Sequence, residues 1–371
     1  MAVPADAELQ GLLGRFVCVR QVQMHGVDLS KFAFDGSLTW AIFMMNADGT
    51  IYGRYGSRSG LQKLSAREIS LAGFKKSLAA ALDLHERYTK DKASVGKELA
   101  GKTHGVEPSW SKPEEIPSLM DKPRLNKPFL GARGRHGGCI HCHMVPANEL
   151  SSLRAAGKPI PDRLLAPYPM PNALGFRIDP RTKATVLRVW PESVAARSGL
   201  EKGDRIVRLA GQPILSTADI QWVLHNAGDG VDLDMQLARG DGNKTKSLKL
   251  KLARGWRMRL GEWRFINQGL LRRTLGFNVK VLPARQARRY GLAGQLAMFV
   301  NRTTRNLRMQ TGLGNRDLIV AIDGKRDRMT LDGLTAYVLR KKAAGSKLVV
   351  TIMEIVDRFP RPEYKVEVTV K

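Results

Sequence analysis

The chain has 371 residues, 43% of them apolar, which is enough for two to four domains that each bury a core. Its 61 Lys+Arg against 34 Asp+Glu give a formal net charge of +27, yet the basic residues are spread along the whole length without a long unbroken run. With no helix-turn-helix, zinc-finger or RRM signature, this fits a generally basic surface suited to anionic partners, and no DNA or RNA partner is expected. The longest clean apolar run, Trp40 to Met45, is far short of the roughly 20 residues of a transmembrane helix, so no transmembrane segment is expected.

Residues 1–90 read as a compact α/β piece. Ala5 to Leu13 has the apolar spacing of a helix, and Phe16 to Val22 alternates like a strand, with Cys18 inside it as a buried structural thiol. Thr39 to Met45 and Thr50 to Tyr55 flank Asp48-Gly49, a pair that supplies the backbone of a tight hairpin turn. A helix is expected from Ser65 to Tyr88, opened by the capping box Ser65-Ala66-Arg67-Glu68 and carrying Ile69, Phe74, Leu78 and Leu82 on one face. Residues 91–170 are rich in Lys, Pro and Gly, a connector composition, and contain Cys139-Ile140-His141-Cys142-His143.

The C-x-x-C-H pattern admits three chemistries. Two thiols can attach a haem covalently while His143 ligates the iron, making it the metal-binding residue, with Met170 or Met144 considered as the distal ligand. The same thiols can cycle as a dithiol, aided by His136, His141 or His143, or contribute to a metal site. Haem c is therefore the one cofactor considered, and a local disulfide is the alternative. There is no Gly-x-Ser-x-Gly, and His85-Glu86 lacks the second histidine of a zinc-protease helix, so a self-contained protease is not expected.

From Pro171 the pattern becomes regular: Leu174-Gly175-Phe176 leading into a strand, a second strand from Ala184 to Trp190, a short helix, Gly203-Asp204-Arg205-Ile206 entering another strand, a turn at Gly211, a Ser216-capped helix from Thr217 to Asn226, and a closing hairpin. The phrase from Ser193 to Ile206 closely resembles bacterial PDZ domains. The pattern returns about 100 residues later, with Leu275-Gly276-Phe277 matching Leu174-Gly175-Phe176, Asp317 matching Asp204, and a longer insertion at Arg302 to Gly312.

The hairpin wording from Met44 to Gly56 resembles the thioredoxin-like part of a bacterial family of thioredoxin-like/PDZ selenoproteins. That resemblance implies a redox pair at a helix start that would precede Met1, so the upstream bases are expected to encode a Cys- or selenocysteine-containing motif and an export signal. The expected architecture is α+β and multidomain: a truncated thioredoxin-like α/β domain (1–90), a connector bearing C-x-x-C-H (91–170), and two PDZ-type β-rich domains (171–255 and 256–371). PDZ domains bind extended or C-terminal peptides by strand addition. The resemblance places the grooves at Leu174, Gly175, Phe176, Arg177 and Ile178 with a wall of Ile220, Val223 and Leu224, and at Leu275, Gly276 and Phe277. The functions expected are a periplasmic or otherwise extracytoplasmic redox protein that docks through its PDZ domains, or a non-catalytic adaptor, with a cytoplasmic location as the alternative.

Overall fold

The computed structural model describes residues 6–36, 38, 40–56, 68–121, 138–240, 244–259, 271–315, 317–356 and 359–371. The chain divides into two compact units that interleave along the sequence: 1–145 with 166–260, and 146–165 with 261–371.

In the first unit, α1 (Ala7–Leu13) starts at Asp6, whose Oδ1 accepts the Leu9 N–H at 2.9 Å. The hairpin of β1 (Ile42–Met45) and β2 (Ile51–Tyr55) forms as expected, Asp48 Oδ1 accepting the Thr50 N–H at 3.0 Å inside its turn. Helix α2 (Leu71–Lys90) begins at a Ser70 cap rather than at Ser65. Glu68 and Ile69 lie ahead of it, and Ser65 to Arg67 fall outside the described residues. Phe16 to Val22 is not a strand: among the described residues no neighbour pairs with it, Val17 and Val19 are 94% and 85% exposed, and Cys18 is an exposed free thiol. Alternation alone did not suffice, because a strand needs a partner for its backbone as well as an apolar face.

The stretch read as connector contributes to cores. Helix α3 (Lys92–Thr103) places Val95 and Leu99 in one apolar cluster with Met44, Tyr52 and Leu78. The short α4 (Pro117–Met120) buries Leu119 beside Met24, Ile116 and Ile140. Helix α5 (Met144–Ala155) and α6 (Asp162–Leu165) follow. Lys/Pro/Gly composition hid these helices because few apolar residues per turn are enough when each is fully buried.

The rest of the first unit is β-rich. β3 (Phe176–Ile178) pairs with β4 (Val186–Val189); after α7 (Val194–Arg197), β5 (Arg205–Leu209), β6 (Gln212–Pro213), α8 (Thr217–Asn226), β7 (Asp232–Arg239) and β8 (Lys244–Lys251) complete a four-stranded sheet of order β6-β5-β7-β8. One core joins Phe176, Ile178, Val186, Ile206, Ile220, Leu224 and Met235.

In the second unit, β9 (Phe277–Val281), α9 (Ala284–Arg289), β10 (Met298–Thr303), α10 (Arg305–Thr311), β11 (Leu318–Ile322), α11 (Leu331–Lys341), β12 (Lys347–Met353), the small hairpin β13 (Ile355–Val356) and β14 (Phe359–Pro360), and β15 (Tyr364–Thr369) follow in order. The sheet runs β15-β12-β11-β10-β9, with β9 at its edge. Apart from β6 in the first copy, and α9 and the β13–β14 hairpin in the second, the order of elements repeats that of residues 176–251. Individual hydrogen bonds repeat too: Trp190 N–H to Gly175 O and Thr304 N–H to Gly276 O, both 2.8 Å; Val186 N–H to Asp204 O and Val300 N–H to Asp317 O, 2.8 and 2.9 Å. Asp204 Oδ2 accepts from Glu201 N–H and Asp317 Oδ2 from Gly314 N–H, 2.9 and 2.7 Å. The extra length lies mainly between β9 and β10, at 282–297 against 179–185 in the first copy, and not at Arg302 to Gly312, where α10 takes the place of α7.

Candidate peptide-binding site

The loop ahead of β3 is a 3-10 turn, Pro171–Leu174, closed by Gly175 at φ 86°, whose N–H donates to the carbonyls of Asn172 and Pro171. A Cβ at Gly175 would stand 2.0 Å from the Ser193 Cβ, so both the left-handed backbone and the close approach require glycine. Ser193 is fixed in turn, its Oγ donating to Trp190 O at 2.7 Å and accepting from Ala196 N–H to cap α7. Gly276 has the same backbone, φ 78°, with Thr304 and Leu307 as its neighbours.

The structure brings the expected groove residues together, but mostly as core. Leu174, Phe176, Ile178, Ile220, Val223 and Leu224 are each at most 5% exposed and share one cluster, Gly175 is buried, and Arg177 is half-buried. Leu275 and Phe277 are likewise buried in the second unit's core. What remains available at each copy is backbone: β3 and β9 are both edge strands among the described residues.

Helix α8 has an unusual environment, since every residue from Ala218 to His225 is buried. Only Ile220, Val223 and Leu224 face the β-rich core. The opposite face is held by the first unit's own N-terminal part. Trp222 Nε1 donates to Gly101 O at 2.8 Å and Ser216 Oγ to the Arg54 carbonyl, while Asn226 Oδ1 accepts the Val106 N–H at 2.8 Å. Asp219 accepts the N–H groups of Arg54 and Leu215 at 3.0 and 2.9 Å. Lys102 Nζ lies 2.7 Å from Asp219 Oδ1 in an ion pair buried on both sides. Arg54 stacks its guanidinium 3.7 Å above the Trp222 ring with its three side-chain nitrogens unbonded. Burial pushes Lys102 down to about 8 and Arg54 down to about 10, in each case opposed by the Asp219 charge. Sequence reading missed this cluster. A charged residue between apolar neighbours on a helix reads as a solvated face until the covering segment is known.

Beside it, residues 166–170 run along α8. Gln221 Nε2 donates to Tyr168 O at 2.9 Å, and the Tyr168 N–H reaches His225 Nδ1 at 3.3 Å.

The C-x-x-C-H segment sits at the start of α5. Cys139 and Cys142 are free and half-buried, and His143 is exposed. Cys142 packs against the Met24, Ile116 and Ile140 cluster, and that burial raises its thiol above the usual range. Burial, then the neighbouring His141, lowers His143; the two imidazoles stack at 5.7 Å. Met144 Sδ accepts the His141 N–H at 3.4 Å, and Met170 is buried outside the cluster that holds Cys142. Among the described residues no group of three or more His, Cys, Asp or Glu could hold a metal ion, and no helix is long and apolar enough to cross a membrane.

Residues 172–252 match the PDZ domain family, so this part of the chain is a PDZ domain. Over 74 residues the chain is 35% identical to a probable periplasmic serine endoprotease, DegP-like, of Pseudomonas savastanoi pv. phaseolicola (strain 1448A / Race 6). That match covers 20% of this chain and 15% of the relative's length. Among solved structures, an HtrA-type protease with decapeptide aligns over 50% of this chain and 53% of its own, at 12% identity and a TM-score of 0.23.

Proposed function

We infer that the protein is a peptide-docking adaptor built on two PDZ-type repeats, 171–255 and 256–371, and that it works outside the cytoplasm, where its periplasmic relative resides. The observation that carries this reading is the repeated frame around Gly175 and Gly276: a left-handed glycine, an edge strand leaving it, and a capped helix packed behind. Strand addition supplies affinity through main-chain hydrogen bonds, and a left-handed glycine ahead of the edge strand lets a peptide terminus approach without a side chain in the way. Titrating the full chain with a library of peptides that carry free or amidated C-termini tests it. Preference for free, apolar C-termini is expected, and a chain that binds no member of the library overturns the adaptor reading.

A second reading is supported by the Cys139, Cys142 and His143 placement. The donors fit a covalent haem: both thiols are free with two residues between them, Cys142 packs on an apolar cluster, and the His143 imidazole is exposed beside them. Cys139 and Cys142 would hold the porphyrin and His143 the iron, and the group would supply one-electron transfer when bound. The thioredoxin-like reading of 1–90 is consistent with the β1–β2 hairpin and the helix α2 packed on it, Met44 and Tyr52 against Leu78 and Leu84. Intact-mass measurement after expression with cytochrome c maturation machinery tests the haem. A covalent adduct supports it, whereas two free thiols or the loss of two hydrogens assigns the pair to dithiol or disulfide chemistry.

A further inference from the structure

The two repeats differ in what surrounds their edge strands. In the first, α8 is buried on every side from Ala218 to His225. In the second, α11 packs Leu334 and Val338 into the same core as Phe277 and Val279 of β9, but Gly333, Ala336 and Tyr337 are only half-buried and Arg340 and Lys341 are exposed. β9 is also the longer edge: Asn278 is half-buried, and Lys280 and Val281 are exposed at its end.

The charge around this edge is one-sided. From Trp263 to Arg316 the sequence has no Asp or Glu. Every Lys and Arg described within that stretch is exposed, and Lys280, Arg285, Arg288, Arg289, Arg302 and Arg305 border β9 in the chain on β9 itself, α9, β10 and α10. Among the described residues none of these six is ion-paired. The first repeat is different, since its basic groups are interleaved with Asp179, Glu192, Glu201 and Asp204, and Arg239 and Arg181 are paired with carboxylates. Unpaired like charges at close spacing repel one another and are relieved by an anionic ligand.

We propose that the β9 edge of the second repeat is a docking site for an extended acidic peptide, which adds to β9 as a further strand and places its carboxylates against the guanidinium groups of α9, β10 and α10. The proposal rests on the PDZ-type reading of 256–371. A peptide is favoured over a nucleic acid because the cations border an open strand edge, whose unpaired backbone donors and acceptors match those of an extended chain.

The test uses the full chain and a fluorescent peptide of alternating Glu and Val, with its Gln–Val counterpart as control. The acidic peptide is expected to bind about tenfold more tightly at low salt and to lose that advantage at high salt. The surface variant R285E/R288E/R289E is expected to lose about tenfold, whereas R181E/K202E in the first repeat keeps the affinity. If the first-repeat variant is the one that loses binding, PDZ-type docking stands and the assignment to β9 falls. Equal affinity for the Glu and Gln peptides overturns the charge argument while leaving strand addition intact. Duplex DNA or phosphatidylserine vesicles that displace the peptide, and themselves bind more tightly, overturn the choice of partner. A wild-type chain that binds neither peptide overturns the proposal outright. Circular dichroism of each variant, with an unchanged unfolding midpoint, keeps the comparison to folded protein.

Discussion

The ring of Tyr168 lies flat against the imidazole of His225, with centroids 4.0 Å apart and planes within 3° of each other. Tyr168 holds this position with φ at 47°, a backbone region that costs a non-glycine residue energy and persists only where surroundings fix it. Truncation to alanine removes the stack and most of a buried aromatic, so Y168A is expected to destabilise the protein by about 2–4 kcal/mol, whereas Y168F stays within about 1 kcal/mol of wild type. Urea unfolding of the two variants measures the difference.

Asp219 serves two buried cations and two backbone donors, so D219A should rank among the most damaging substitutions in the chain, costing about 3–5 kcal/mol. K102M removes one cation while keeping the packing, and is expected to be far milder.

The same lysine gives a pH signature. In the folded chain Lys102 is pushed down to about 8, whereas unfolded it titrates near the ordinary lysine value of about 10.4. Above pH 8 the folded form has released this proton while the unfolded chain still holds it. The group's contribution to stability therefore rises with pH between these two values and is flat below pH 8. K102M should lose that rise, and denaturant unfolding at pH 7 and pH 9.5 for both proteins reads it directly.

Gly175 and Gly276 share a backbone but not a neighbourhood. G276A must bear the left-handed conformation, about 1–2 kcal/mol, and a moderate squeeze at 3.1 Å. G175A adds the Ser193 collision to the same strain and is expected to cost clearly more, with thermal unfolding as the measurement.

Thiol labelling should separate Cys18 from Cys142. Cys18 is exposed and Cys142 is held above the usual thiol range by burial, so iodoacetamide at pH 8 should modify Cys18 first and Cys142 several-fold more slowly. Peptide mapping at timed intervals gives the order, and faster reaction at Cys142 would contradict its burial.

The PDZ frame was legible because its information is local: a glycine where φ must be positive, Ser216 before a helix, and Asp-Arg-Ile entering a strand. The hairpin at Asp48-Gly49 was legible for the same reason. The Phe16 to Val22 stretch was not, since its alternation is genuine but pairing with a neighbour is a long-range event. Nor could the sequence announce that Lys102, Asp219 and Arg54 converge from α3, α8 and β2, or that Tyr168 would lie on His225. The side chains expected to line the first groove gather in one buried core, a placement the sequence does not separate from a ligand wall because a β-sandwich core and a groove use the same residue types.

The two units trade segments along the sequence, residues 146–165 belonging with 261–371 and residues 166–260 returning to the first. A ribosome therefore delivers α5 and α6 well before the sheet they join. During synthesis these helices wait with their apolar faces uncovered while Ala166 to Leu260 emerges and completes the earlier unit. No single cut in the gene yields both units whole: a cut after Leu260 keeps the first but strands residues 146–165 from the rest of theirs, and a cut before Pro146 keeps the second but parts Ala166 to Leu260 from residues 1–145.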